Sequence, residues 1–262
     1  MNRRILFLLF FIAIGFTSCV PTQDLIYLQN KSVSNEIAIN QLQNKPYRLQ
    51  TSDILSISIK AFDPKLVEIF NKDSGTVNSI SEQSLYFTGY TIDDHGNIRM
   101  PLLGELNVLG FTLDETREKV EKLLLQDHFK KESGLYVDVK LAGLRYTVNG
   151  EVGATGTKII YQEKVTILQA IANSGDITIT GDRKDVKVFR QFPQGTEIMS
   201  IDLTDANKAM NSTCYYIQPN DYIYVKPLKQ KTWGTGKTGI ESLSTIITLL
   251  SLATTTFLLL KK

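Results

Sequence analysis

The 262-residue sequence contains few of the residues that catalytic and metal sites use most. It has two cysteines, two histidines and one tryptophan. The cysteines and histidines lack the spacing of a zinc site, and we expect no metal and no other cofactor. The sequence also lacks an excess of charge of either sign: without Arg3 and Arg4, basic and acidic residues number 27 each. A neutral chain without a basic stripe argues against nucleic acid as a partner.

The amino terminus has the composition of a secretion signal. Two arginines, an apolar run over 5–16 and two small residues precede Cys19. This pattern predicts a signal peptide over 1–18. A cysteine directly after two small residues resembles a lipobox, which implies lipidation of Cys19 by a palmitate-bearing lipid. An ordinary cleaved signal with an incidental cysteine is the alternative. Residue 20 is Val and not Asp, which in diderm lipoproteins implies sorting to the outer membrane.

The carboxyl terminus carries a long apolar run over 240–260. As a helix it would extend about 31 Å, enough to cross the core of a bilayer, so the run predicts a transmembrane helix. Four hydroxyl residues recur at intervals of three and four along it and share one helical face. These are Ser244, Thr248, Ser251 and Thr255. The face suits helix packing or the lining of a water-filled pore. A glycine-rich linker over 229–239 precedes the run.

Between the ends, the hydrophobic pattern predicts an α+β fold class. Residues 19–45 are polar and predict a tether. In 46–143, apolar alternation predicts a strand at 54–60, and a Gly-Asn turn predicts a hairpin over 90–102. Thr112 with Glu115 then makes a capping box for a helix. In 144–228, a second capping box, Thr166 with Gln169, opens a short helix among several strands. We therefore expect two small mixed α+β domains, the second β-grasp-like.

Several of these segments together resemble a known family. Tyr47, the Ser52-Asp53 pair before the first strand, and the sequence QPNDYIYV at 218–225 carry the resemblance. The stretch over 92–109, with its glycines and proline, adds to it. In order and position they are similar to the outer-membrane polysaccharide export family, the Wza-like translocons. The likeness covers about 46–227. Ser52 stands where the family usually has Gly, and the chain has one soluble-ligand-binding β-grasp (SLBB) domain where larger relatives have two or more.

The resemblance implies a non-enzymatic conduit for capsular polysaccharide or exopolysaccharide. It assigns 46–143 to a polysaccharide export domain and 144–228 to the SLBB domain. Identical subunits would form a homo-oligomeric ring in the periplasm, anchored to outer-membrane lipid, with the hydroxyl face of 240–260 lining a pore. It also implies a partner in the inner membrane, a chain-length regulator resembling a tyrosine kinase (a copolymerase). A scaffold lipoprotein that binds a glycan or a partner without transport is the alternative.

Two groups of residues carry side chains suited to chemistry beyond transport. Asp93, Asp94 and His95 could form an acid pair with a base, but they fall in a predicted turn, where Asp is favoured for backbone reasons. We therefore predict no catalytic residues. The tyrosines Tyr215, Tyr216, Tyr222 and Tyr224 could stack on sugar rings. Packing of these side chains in a core or a subunit interface is the alternative that strand aromatics favour.

Overall fold

The protein has a mixed α+β fold with several sheets and few helices. The computed structural model describes residues 21–30, 46–70, 86–130, 133–192, 194–232 and 239–260. Its strands are β1 (Ile54–Lys60), β2 (Tyr90–Thr91), β3 (Asn97–Met100), β4 (Gly104–Asn107), β5 (Tyr136–Leu141), β6 (Leu144–Gly150), β7 (Gly156–Ile160), β8 (Val165–Thr166), β9 (Gly181–Phe192), β10 (Gly195–Ile201), β11 (Tyr216–Ile217) and β12 (Tyr222–Pro227). Its helices are α1 (Leu113–Asp127), α2 (Ile167–Ala172), α3 (Ala206–Met210), α4 (Lys229–Thr232) and α5 (Gly239–Leu260).

The first hydrophobic core lies between a three-stranded sheet and helix α1. The sheet has the order β2-β1-β5, and both pairings are antiparallel. Leu55 and Ile59 alternate inward along β1 and are completely buried, as the apolar alternation predicts. The turn predicted after 92 forms, with Gly96 at φ 81°. The strands on either side of this turn do not form the predicted hairpin with each other. Strand β2 pairs with β1, and β3 forms a hairpin with β4.

Helix α1 begins and packs as its sequence pattern predicts. The Thr112 hydroxyl accepts a hydrogen bond from the Glu115 amide at 3.1 Å, and the Glu115 carboxylate accepts one from the Thr112 amide at 2.8 Å. These bonds satisfy two amides that the first turn leaves without helical partners. Val120 and Leu124 are completely buried in the first core. The cap and the apolar stripe therefore fix where the helix starts and which face it buries.

The second hydrophobic core lies beneath a five-stranded sheet of order β10-β9-β12-β6-β7. Only the β12–β6 pairing within it is parallel. Helix α2 has the predicted capping box, in which the Thr166 and Gln169 side chains each bond to the other residue's amide. The largest side chain of this core is Tyr146, whose hydroxyl donates to the Ala170 carbonyl at 3.0 Å. Strand β6 is thus tied to the helix below it.

Residues 21–30, in the segment predicted as a tether, lie against the second core; we name them the strap. The amides of Leu28 and Gln29 donate to the carbonyls of Leu203 and Thr204, each at 2.9 Å. The Gln29 carbonyl in turn accepts from the Ala206 amide at 3.1 Å. Backbone bonds of this kind form across a sheet edge or bridge. The strap is therefore part of the folded body.

The carboxyl-terminal run forms helix α5, and residues 229–232 of the predicted linker form the short helix α4. The Leu228 amide donates to the Thr180 carbonyl at 2.8 Å, and Lys231 forms an ion pair with Glu151, so α4 lies against the second core. Within the part of the chain that the structure describes, no helix is long and apolar enough to cross a membrane. The prediction that 240–260 form a transmembrane helix is therefore not supported. These residues do form a helix, α5.

Candidate functional site

The one cluster of acidic residues and histidine that the sequence suggested is a backbone turn. A carboxylate oxygen of Asp93 accepts hydrogen bonds from the amides of His95 at 2.9 Å and Asn97 at 2.8 Å. This is the Asx-turn geometry that favours Asp in such positions. Among the described residues, no group of three or more His, Cys, Asp or Glu side chains is placed to hold a metal ion.

The residues that carry the family resemblance in the first domain contact each other. Asp53 precedes β1, and its carboxylate accepts from the Tyr47 hydroxyl and the Gln50 amide, both at 2.8 Å. Burial, followed by the neighbouring Asp53 charge, raises the pKa of Tyr47 well above its ordinary value. The phenol therefore stays protonated and remains a hydrogen-bond donor to Asp53. These contacts fix how the chain enters β1.

In the second domain, the aspartate of the QPNDYIYV segment, Asp221, forms a buried ion pair. Its two carboxylate oxygens accept from Nε and one terminal nitrogen of Arg190, at 2.9 and 2.7 Å. The same guanidinium donates to the Tyr216 carbonyl at 3.1 Å, and the Gln218 amide donates to Asp221 at 2.8 Å. A bidentate pair of this kind is both strong and directional. It ties β9, β11 and the start of β12 together.

The strap is also held by side chains of β9 and of the turn that precedes it. The Tyr27 hydroxyl donates to the Asp176 carboxylate, and the Arg183 guanidinium lies 5.2 Å from the centre of the Tyr27 ring. Lys184 pairs with Asp24 at 2.6 Å. Burial, then the hydrogen bond to Asp176, raises the pKa of Tyr27 to about 12. Tyr27 therefore remains a neutral donor over the physiological pH range.

On the hydroxyl face of α5, three of the four hydroxyls donate hydrogen bonds within the helix. Thr248 donates to the Ser244 carbonyl and Ser251 to the Thr248 carbonyl, both at 2.9 Å. Thr255 donates to the Ser251 carbonyl. All four predicted pore-lining residues are exposed in the single chain. Because back-bonded hydroxyls require no further partner, this face tolerates either water or a packed helix, and the pore-lining prediction stays a prediction.

The structure describes one of the two cysteines, Cys214. Cys19, the predicted lipidation site, lies outside the described residues. Cys214 is completely buried in the second core, where its sulfur lies 3.1 Å from the Ser212 hydroxyl. Burial raises the pKa of the Cys214 thiol. A buried protonated thiol is a poor nucleophile and behaves as a small apolar side chain.

The four tyrosines fall into two groups. Tyr215 and Tyr216 contact each other edge to face, with ring centres 5.3 Å apart, and Tyr215 packs against the second core. Tyr222 and Tyr224 alternate with the buried Ile223 and Val225 along β12, so they lie on the opposite face of the sheet.

Sequence reasoning missed Arg190 and Tyr27. Asp221 belongs to the QPNDYIYV segment, and nothing in the local pattern connects it to Arg190, which lies 31 residues away along the chain. The partner of Tyr27, Asp176, is 149 residues away. The signal available for Arg190 was its place in the alternation of Val186 and Val188 along β9, because a buried charge requires a partner.

Comparison with known proteins gives the same family for the first domain. Residues 41–142 match the family model described as polysaccharide biosynthesis/export protein. The chain is similar to the EPS I polysaccharide export outer membrane protein EpsA of Ralstonia solanacearum, with 29% identity over 179 residues, covering 64% of this chain and 46% of that protein. The EpsA of Ralstonia nicotianae is 29% identical over 158 residues, covering 58% and 40%. The chain thus spans less than half the length of these relatives. Residues 41–142 are thus similar to the polysaccharide biosynthesis/export family.

Proposed function

We propose that this protein is an outer-membrane subunit that exports capsular polysaccharide or exopolysaccharide without catalysing a reaction. The observation that carries the proposal is the match of residues 41–142 to the export family. The relatives in Ralstonia are named for export of a polysaccharide at the outer membrane, which supports the same location and substrate class for this chain.

Lipidation of Cys19 is the anchor in this proposal. Cys19 precedes the start of the strap at Pro21 by two residues, which span at most about 7 Å when extended. The strap in turn is bonded to the second core through Leu28, Gln29 and Tyr27. A lipid on Cys19 would therefore hold the second core close to the membrane surface, with the folded body in the periplasm.

Export through the protein requires several copies of the chain. One helix with a hydroxyl face encloses no passage, whereas a closed ring of identical subunits turns the same face of each copy toward the axis. In the proposal, Ser244, Thr248, Ser251 and Thr255 face this axis. Hydroxyls that are already bonded within the helix would offer water and sugar only weak competing bonds, which suits passage. An inner-membrane copolymerase would deliver the polysaccharide to the periplasmic side of the ring.

Deletion of the gene followed by complementation tests the proposal. We expect deletion to abolish surface polysaccharide, the full chain to restore it, and the Cys19→Ala variant to lose both fatty-acid labelling and restoration. Native mass spectrometry of the detergent-extracted protein should give a multiple of the subunit mass. A different pair of results would identify a scaffold lipoprotein. The protein would be a monomer, and cells without it would still secrete the polymer but fail to retain it.

A further inference from the structure

The five-stranded sheet of the second core has an outer face that its own core does not cover. Along β12 and β6, side chains that point inward are buried, as Ile223 and Val148 are. Their neighbours Tyr222, Tyr224 and Thr147 point outward and are only partly buried. This alternation is what places two tyrosines of one strand side by side on the same surface.

The outward side chains line up in rows across the strands. One row contains the direct cross-strand partners Ile198, Phe189, Tyr222, Thr147 and Thr157, from β10 to β7. No member of this row is charged. The next row contains Ser200, Lys187, Tyr224 and Asn149. Its single charge, Lys187, is paired with Asp185 at 2.8 Å. We name the two rows the aromatic band; across five strands it spans about 19 Å.

Contacts within the aromatic band hold its rings and polar groups in place. Phe189 and Tyr222 pack edge to face, with ring centres 5.7 Å apart and planes at 73°. The Asn149 amide donates to the Tyr222 hydroxyl at 2.9 Å, which directs the hydrogen of that hydroxyl away from Asn149. The hydroxyls of Thr147 and Thr157 lie 3.1 Å apart. A surface whose groups are already fixed loses little conformational entropy when it binds.

We propose that the aromatic band binds the exported polysaccharide, an inference that rests on the proposed function and names a contact site for its substrate. The rings of Tyr222 and Tyr224 cover the apolar C–H faces of sugar units. The Asn149 amide and the Tyr222 and Thr147 hydroxyls exchange hydrogen bonds with sugar hydroxyls. Ligand sites of this kind combine aromatic surface with a few placed polar groups.

Charge and dimensions favour a sugar chain over other occupants. The charged side chain of the band, Lys187, is paired with Asp185, and Lys226, which borders the band on β12, is paired with the same carboxylate. Because these charges are already paired, the band suits a chain of little charge better than a polyanion. The two rows are separated by two residues along each strand, so the band measures about 19 Å by about 7 Å. A second copy of the protein would need about 800 Å² on each side for a stable interface. A single polymer chain is narrow enough for this strip.

Affinity electrophoresis tests the inference with the detergent-solubilised full chain. The probe is exopolysaccharide purified from the cells that make the protein, cast into the gel at increasing concentrations. We expect the polymer to retard the wild-type chain, and Tyr224→Ala and Asn149→Asp to raise the apparent Kd about tenfold or more. Asn149 is exposed, so its substitution leaves the core intact. The matched control is Tyr136→Ala, an exposed strand tyrosine of the first domain, which should migrate as the wild type does.

The possible outcomes separate this inference from the proposed function. Equal retardation of the wild type and of both band variants, or no retardation of the wild type, overturns the binding site. If Tyr224→Ala lowers the oligomer mass and leaves retardation unchanged, the band is a subunit interface and the inference is wrong. Export is measured separately as surface polysaccharide in the deletion strain. Normal export in that strain overturns the proposed function, whatever the gels give.

Discussion

Two aspartates, Asp53 and Asp221, begin strands β1 and β12 through turns of the same geometry. In each, the carboxylate accepts from the amide three residues earlier, at Gln50 or Gln218. The aspartate amide donates back to that residue's carbonyl, at 3.3 and 3.2 Å. The residue before each aspartate has positive φ, 69° at Ser52 and 65° at Asn220. The first core and the second core thus each start a buried strand by the same local device.

The positive φ at Ser52 makes this position sensitive to the side chain that occupies it. Gly adopts the left-handed region without strain, and a β-branched residue is a genuine outlier there. We expect Ser52→Gly to change the free energy of unfolding by less than about 0.5 kcal/mol, since relief of strain offsets a more flexible unfolded chain. Ser52→Val should lower it by about 1–2 kcal/mol. Urea denaturation measures both.

A control for backbone strain is the neighbouring Thr51→Val substitution, which introduces the same side chain at a position without positive φ. It should cost no more than about 0.5 kcal/mol. Equal destabilisation by the two valines would show that the turn geometry is not the cause.

The buried pair of Arg190 and Asp221 gives a larger effect at the same scale. Their side chains are 6% and 0% exposed. We expect Asp221→Asn to lower the free energy of unfolding by about 3 kcal/mol, because it leaves the Arg190 charge buried without its counter-charge. Chemical denaturation followed by circular dichroism measures the loss.

The matched control for this pair is Asp138→Asn on β5. Asp138 pairs with Lys140 at 3.3 Å, but their side chains are 38% and 60% exposed. Solvent screens such a pair, so the control should cost no more than about 0.5 kcal/mol. If Asp221→Asn costs no more than this control, the buried pair does not hold β9 and β12 together.

At the scale of elements, the sequence predicts what depends on near neighbours. Both capping boxes, at Thr112 and Thr166, involve residues three apart, and both form as predicted. The alternation of β1 likewise gives its buried face correctly. The pairing of β3 with β4, in place of β2, depends on which strands the first core brings together. Helix α4 was missed for the same reason, because its attachment joins Lys231 to Glu151, 80 residues away.

The strap is the element that sequence patterns could least predict, and its docking is testable. We expect Tyr27→Ala to speed hydrogen exchange of the Leu28 and Gln29 amides about tenfold. The substitution removes the bond to Asp176 and the contact with Arg183, which together supply on the order of 1–2 kcal/mol. Exchange followed by mass spectrometry of the 21–30 peptide measures the change.

Tyr161→Ala serves as the control for the strap, since Tyr161 is 59% exposed and far from it along the chain. Exchange of the 21–30 peptide should not change in that variant. Unaltered exchange in Tyr27→Ala as well would mean that the backbone bonds alone hold the strap.

At the scale of the whole molecule, the described residues form two hydrophobic cores. The buried residues of the first core lie within 49–139 and those of the second within 144–225. Neither the family match nor the sequence pattern gives the number of subunits, because the contacts between copies are not written in local periodicity. Helix α5 is the part of the chain through which assembly can be tested residue by residue.

Single cysteines along α5 distinguish a shared aqueous passage from a packed helix face. In a Cys214→Ser background, cysteines at Ser244, Thr248 and Ser251 should react with a water-soluble maleimide in the assembled complex. Cysteines at Ile247 and Leu250, on the aliphatic face, should react at least about tenfold more slowly, so that reactivity follows a period of about 3.5 residues. Ile247 and Leu250 are 56% and 59% exposed in the single chain, so their protection reports on assembly. A dry interface at the hydroxyl face would exclude the reagent from both sets. Uniformly low reactivity would therefore mean that the hydroxyl face packs against another helix and lines no passage.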